Sequence, residues 1–392
     1  QAGTEYFVNF NVTTVEKEPL IPIGHEIACD QFRLPIESPK KAFKTSGPKL
    51  TVSTNGDNLS ASSSKVNFIF NKKTGIVTSY KVDGTEYFSE GFGIQPNFWR
   101  APTDNDYGNG MPKRLQIWKE SSKNFNVTDA TVTMDGNNAV VNVNYLLPAG
   151  NLYIVNYTIY PSGAVNVAAR FTSTDMDAAQ TEVSESTRTA TFTPGRDAAR
   201  KEASKLNVPR IGVRFRLPAS MNQVEYFGRG PAENYLDRNA GSMVGLYKST
   251  AEELYFPYVR PQENGHHTDT RWVSLSTGKK GLLIQADNTI GFNALRNSIE
   301  DFDDEEATGL SRQWSNFTPE QVANHDEAAA KNVLRRQHHI NDITPRDFVE
   351  VCVDLKQQGV AGYDSWGSRP EPAYTLPANR EYNWGFTLIP LK

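Results

Sequence analysis

Residues 139–171 read AVVNVNYLLPAGNLYIVNYTIYPSGAVNVAARF, and this stretch decides the fold. Apolar and polar residues alternate with period two, Val141, Val143 and Tyr145 against Asn142 and Asn144, so each extended segment has one apolar face. Pro148-Ala149-Gly150 and Pro161-Ser162-Gly163 interrupt the alternation with turn formers. The reading is three antiparallel strands in a meander. A second meander precedes it, with strands at 66–70, 76–82 and 87–88 joined by Lys73-Thr74-Gly75 and Asp83-Gly84. Further alternating runs at 211–217, 272–276, 281–285, 348–355 and 382–389 are too many for one small sandwich. The chain is therefore expected to be all-β, a large antiparallel sandwich with few short helices. One connecting helix is expected from Thr318 to Arg336, where Thr318 caps, Pro319 starts and Gln321 completes a first turn. Residues 175–207 and 300–306 read as polar surface insertions.

A boundary is expected at 46/47, because Ser38-Pro39-Lys40-Lys41 and Thr45-Ser46-Gly47-Pro48 separate two strand-rich regions. Residues 1–46 hold too few strands to close a core and read as part of a sandwich plus a linker; residues 47–392 read as one large β body. The strand-like run 5–10 begins abruptly, so the chain is read as a fragment. Its 41 Lys plus Arg against 45 Asp plus Glu supply no broad cationic field for nucleic acid or an anionic membrane. A 38 % hydrophobic fraction suffices for a core, and no run approaches the roughly 20 apolar residues of a membrane span. A soluble parent is expected, cytoplasmic or periplasmic. Cys29 and Cys352 form no disulfide framework and no Cys-x-x-Cys pair, and both read as small buried hydrophobes.

Periodicity stops at the architecture, so function must come from local clusters. Four of them concentrate aromatic, amide and charged residues: Asn97-Phe98-Trp99-Arg100-Ala101-Pro102-Thr103-Asp104-Asn105-Asp106, Gly230-Pro231-Ala232-Glu233-Asn234-Tyr235-Leu236-Asp237-Arg238, Pro261-Gln262-Glu263-Asn264-Gly265 and Asp364-Ser365-Trp366-Gly367. That mixture suits a sugar, whose C–H face stacks on an aromatic ring while its hydroxyls need fixed hydrogen-bond partners.

With these runs in this order, the chain resembles the C-terminal part of the large multidomain β-galactosidases of glycoside hydrolase family 2. The resemblance extends upstream through Gly24-His25-Glu26-Ile27-Ala28-Cys29-Asp30. It implies a terminal supersandwich of the galactose-mutarotase-like type over 47–392, preceded by the last strands of an immunoglobulin-like sandwich over 1–46. It further implies that two catalytic Glu residues and the family's magnesium lie on a separate barrel domain outside this chain. This chain alone is then expected to be inactive and to have no catalytic residue or cofactor of its own. The segment's expected contribution is a wall of the active site, with Trp366 facing the leaving-group side of a β-galactoside and Asp364 and Ser365 beside it. A sodium ion on main-chain oxygens near Arg260 and Pro261 is also implied, as is a homo-oligomer. Partners are thus a sugar and the barrel domain, with neither nucleic acid nor membrane.

Arg100, Asp104, Glu233, Asn234, Glu263 and Asn264 are further candidates for hydroxyl contacts, and a buried charge network fixing loops competes for each. The alternative function is a free-standing mutarotase-like epimerase or carbohydrate-binding module. An epimerase would need a His acid and a Glu base, for which His267 with Glu263 or Glu233 are the conceivable pairs. The adjacent His266-His267 and His338-His339 lack the i, i+4 spacing of helical zinc sites. His267 also stands where the family commonly has Arg.

Overall fold

A computed structural model describes residues 3–36, 38–172, 206–303, 339–364 and 367–392. The expected helix at 318–336 and most of the 175–207 insertion fall outside them. The first sheet pairs β1 (Phe7–Thr13) with β2 (Glu26–Arg33) in an antiparallel hairpin. Its residues are nearly all exposed, Cys29 among them, because among the described residues no second layer lies over either face. The expectation of a buried Cys29 is corrected on that ground, whereas Cys352 is buried.

The hairpin is tied to the rest by polar contacts. Glu5 pairs with Arg33 at 3.0 Å and Arg271 at 2.8 Å, and the Gln31 amide exchanges hydrogen bonds with the Val244 main chain at 2.8 and 2.9 Å.

A five-stranded meander follows: β3 (Thr51–Asn55), β4 (Asn58–Ser62), β5 (Val66–Asn71), β6 (Ile76–Val82) and β7 (Thr85–Glu86). It packs on a twelve-stranded sheet. That sheet begins with β8 (Gln95–Asn97), after which the chain turns through α1 (Asp104–Gly108), α2 (Met111–Arg114) and α3 (Gln116–Lys123). β9 (Asn126–Asp135), which was not expected, adds a fourth strand beside β10 (Asn138–Leu146), and β10, β11 (Leu152–Ile159) and β12 (Val165–Phe171) form the meander read from the sequence. Along β10 burial alternates strictly, Val141, Val143 and Tyr145 inward and Asn142 and Asn144 outward, as period two demands. The sheet is completed by β13 (Arg210–Pro218), β14 (Gln223–Gly230), β15 (Met243–Thr250), β16 (His267–Ser276), β17 (Gly281–Leu295), β18 (Phe348–Gln357) and β19 (Tyr382–Leu391). Spatial order along its main path is β15-β14-β16-β17-β19-β12-β11-β10-β9, with β13 bridging β18 and β8. The all-β expectation holds.

Two local departures matter for the site. The helical turns of 104–123 were not expected, since each is too short to show periodicity, but their start is encoded. Thr103 and Asp106 form a reciprocal capping box. α3 is then locked by aromatic packing: Trp118, wholly buried, lies 6.4 Å from Phe98 and 6.0 Å from Phe171 between ring centroids. Secondly, the acidic run at 300–306 is not all surface. α4 (Ile299–Phe302) buries Asp301, and Asp303 accepts from Trp99 Nε1 at 2.7 Å.

Candidate functional site

The four clusters meet in one cleft of about 260 Å³. Thr103, Asp104 and Asn105 come from the first, Tyr235 and Arg238 from the second, Gln262 and Glu263 from the third, and Asp364 from the fourth, with Tyr258 closing one side. Thr103 and Asp364 lie 261 positions apart in sequence, so a set of hydrogen bonds between the segments must hold the cleft open.

That set converges on the loop that carries the fourth cluster. Arg100, with no exposed surface, donates from Nη1 to Gln358 O at 2.8 Å and from Nη2 to Gly359 O at 3.1 Å, while Asp106 neutralises it at 3.0 Å. Asp237 accepts the next two main-chain N–H groups, from Val360 at 2.9 Å and Ala361 at 2.8 Å. The Asn105 amide donates to the carbonyls of Ala361 and of Asp364, the latter at 2.9 Å, and Asn109 donates to Ser368 O at 3.1 Å. Gly367 adopts a φ of 100°, and a Cβ there would come within 2.5 Å of the Gly108 carbonyl carbon. α1 and the 358–364 and 367–368 backbone are thus clamped at several points. Ser365 and Trp366 lie outside the described residues.

The opposite wall is organised by Glu233, whose side chain is 6 % exposed. Its carboxylate accepts from Gly265 N at 2.6 Å, from Arg238 Nη2 at 2.6 Å and from the Tyr258 hydroxyl. Burial, then Glu233, raise the Tyr258 phenol above its ordinary range, so it stays a donor at neutral pH. Asn234 is fully buried and tied to Thr268 N at 2.9 Å. Asp104 is 62 % exposed at the rim and accepts from Gln262 Nε2 at 2.9 Å. Of the residues read as hydroxyl binders, Asp104 and Asp364 reach the cleft with exposed polar groups, and Glu263 reaches it from below. Arg100 and Asn234 serve the backbone; Asn264, buried, donates to Gln262 O at 2.9 Å.

Glu263 belongs to a second layer beneath the cleft. Arg210, wholly buried, lies 3.1 Å from both Glu263 and Asp354 and donates to Asn293 Oδ1 at 2.8 Å. Gln357 and Asn293 donate to Glu263 Oε1 at 2.8 and 3.1 Å. Burial pushes the Asp354 carboxyl up to about 7 against the pull of Arg210. Burial, reinforced by Arg210, holds His266 well below its ordinary value, and burial takes His267 down to about 4. The void within this layer is about 20 Å³, room for one water and not for a pyranose. His267 faces Arg229 O at 3.1 Å and stacks on Phe292, so neither conceivable His–Glu pair flanks a space for an anomeric carbon.

Arg260 O receives Gln262 Nε2 at 3.3 Å and its guanidinium covers the Tyr107 ring at 3.8 Å. Among the described residues no three His, Cys, Asp or Glu side chains converge as a metal site would require. No described helix is long and apolar enough to cross a membrane.

The model of the β-galactosidase small chain family matches residues 62–388. The β-galactosidase of Priestia megaterium is 32 % identical over 371 residues, covering 94 % of this chain and 30 % of that protein. The β-galactosidase small subunit of Latilactobacillus sakei is 27 % identical over 332 residues, covering 82 % of this chain and 92 % of that one. Among solved structures, galactose 1-epimerase from Lactobacillus acidophilus covers 88 % of this chain at 8 % identity with a TM-score of 0.42. The chain spans about 30 % of the length of the Priestia relative. By a family match over most of its length, it belongs to the β-galactosidase small chain family.

Proposed function

We propose that this chain is the non-catalytic, sugar-facing part of a retaining β-galactosidase. The convergence of four sequence clusters on one 260 Å³ cleft is the observation that carries this reading. The cleft offers a donor in Arg238 and acceptors in Asp104, Asp364 and the Tyr258 oxygen, whose own proton goes to Glu233, the mixture a hydroxylated ring needs. The loop clamped by Arg100, Asn105 and Asp237 carries Trp366, and on this reading the indole stacks on the leaving-group sugar.

Hydrolysis with retention requires two carboxyl groups about 5–5.5 Å apart, one acid/base and one nucleophile. Two of the carboxylates at this cleft have other work: Glu233 accepts three hydrogen bonds from the wall, and Glu263 is held by Arg210 and Gln357. On this reading the reacting pair, with any magnesium, sits on a catalytic partner, either an upstream domain or a larger subunit. Residues 1–46 would be the closing strands of that partner's adjoining sandwich, and the exposed faces of β1 and β2 support this.

The test is hydrolysis of a chromogenic β-galactoside by the 392-residue chain alone and after addition of the separately produced upstream part of its parent. Inactivity alone with turnover on mixing is expected. Turnover by the chain alone would overturn the non-catalytic assignment, and no turnover on mixing, with a complex formed, would overturn the enzyme assignment.

A further inference from the structure

A larger groove lies away from the cleft, between the N-terminal segment and the outer face of the twelve-stranded sheet. Its volume is about 580 Å³, within the usual size of a ligand site. Register explains its floor. Phe227 on β14 pairs with Trp272 on β16, which pairs with Gln285 on β17, so ring, indole and amide stand in one row across three strands. Phe227, Trp272 and Gln285 are all only partly buried and line the groove, with the Arg271 guanidinium 5.6 Å from the Phe227 ring and Gln285 Nε2 donating to Lys41 O at 3.4 Å. A parallel row begins with Glu225 and continues through Ser274, and Asp287 lies one pleat beyond Gln285.

The roof carries Arg33, Lys40 and Lys41. It is held at a fixed height by Glu5, which bridges Arg33 and Arg271, and by Gly3 N donating to Pro39 O at 2.7 Å. The floor is acidic at Glu225 and Asp287. A polyanion would meet those carboxylates and a polycation the basic roof, so the groove excludes both. A neutral polyol meets neither penalty. Its hydroxyls can donate to the floor carboxylates and accept from the roof cations, and its C–H faces can stack on the Phe227 and Trp272 rings.

From this arrangement we infer that the groove is a second carbohydrate site, one that takes a neutral oligosaccharide on the Phe227–Trp272–Gln285 row. It stands independently of the function proposed for the cleft, since the two share no lining residue.

The test is fluorine NMR of the chain labelled with 5-fluorotryptophan and titrated with lactose, the Trp272 resonance being assigned by Trp272→Phe. A saturable shift of that resonance is expected, and it persists in the cleft variant Asp104→Ala. Gln285→Ala, a partly exposed change that spares the aromatic pair, should weaken the Trp272 titration by about 2- to 10-fold, the scale of one lost hydrogen bond. A Trp272 resonance that does not move overturns the inference, whatever happens at the cleft. So does a shift abolished by Asp104→Ala, which would make it a relayed effect of the cleft, or a preference for a uronic or sulfated disaccharide over lactose. If the Trp272 titration survives while mixing with the upstream part yields no galactosidase, this inference stands and the proposed function falls.

Discussion

Gly359 is packed against the carboxylate of Asp237 so closely that a Cβ at position 359 would lie 2.3 Å from Asp237 Oδ2. The same carboxylate accepts the N–H groups of Val360 and Ala361, so the glycine is what lets the carboxylate reach two consecutive amides. A single side chain from the second cluster thereby sets the path of the loop that carries the fourth.

Gly359→Ala should displace Asp237, lower the melting temperature by several degrees and weaken sugar binding at the cleft. Asp237→Ala alone leaves two buried donors unmatched, a cost of about 1–3 kcal/mol. In the double variant the clash is gone, so the losses should be markedly less than additive. Additive losses in chemical denaturation would show that the two residues are not coupled.

Tyr258→Phe should leave the fold intact and lower cleft affinity for a β-galactoside several-fold. The hydroxyl it deletes is one of three donors on Glu233, and Gly265 N and Arg238 remain. Loss of one such bond in a half-exposed site is worth on the order of 1 kcal/mol. In the enzyme reassembled with its upstream part, the effect should fall on KM more than on kcat. A variant with unchanged KM would remove Tyr258 from the binding wall.

How far these relationships could be read beforehand depends on sequence distance. The β10–β12 meander was legible because its hydrogen bonds join neighbours and its turns carry Pro and Gly at the tips, with Val141 and Asn142 assigning the faces unaided. The four clusters were legible as compositions. Their roles were not, because Asp237 meets Val360 across 123 residues and Arg100 meets Gly359 across 259. A polar residue in a motif looks the same whether it binds solute or backbone, and Arg100 and Asn234 prove to be wholly buried. The convergence on one cleft needed the fold. Cys29 misled for the converse reason: a strand pattern encodes an apolar face, but not whether a second layer covers it.

His267→Gln should reduce loss of stability in acid. Burial lowers the folded-state value of His267 to about 4, against an ordinary value of 6.5. The unfolded chain therefore binds the proton first as pH falls, and stability is lost between about 6.5 and 4. Gln keeps one polar atom for the Arg229 carbonyl without titrating. The stability difference between variant and parent should move in favour of the variant as pH falls from 7.5 to 5; a difference that does not change with pH would place the acid sensitivity elsewhere.

Asp354 should act with the opposite sign. Its folded-state value is raised by burial to about 7 from 3.8, so the native chain holds a proton that the unfolded chain has already released. Stability from this group is present below about 3.8 and is lost as pH rises toward 7. Arg210, 3.1 Å away, limits the loss without cancelling it, because Glu263 shares the same guanidinium and adds a second negative charge to the layer. Asp354→Asn removes the titration. It also deprives Arg210 of a charge, a cost that does not vary with pH, so the titration shows in how the difference between variant and parent changes with pH. That difference should move in favour of the variant from pH 4.5 to 7.5, by on the order of a few kcal/mol. Because the windows of His267 and Asp354 overlap between about 4 and 6.5, the parent's own profile should be flatter there than that of either variant. A pH-independent difference for Asp354→Asn would mean that Arg210 keeps Asp354 ionised throughout, and that the layer beneath the cleft carries its full charge at neutral pH.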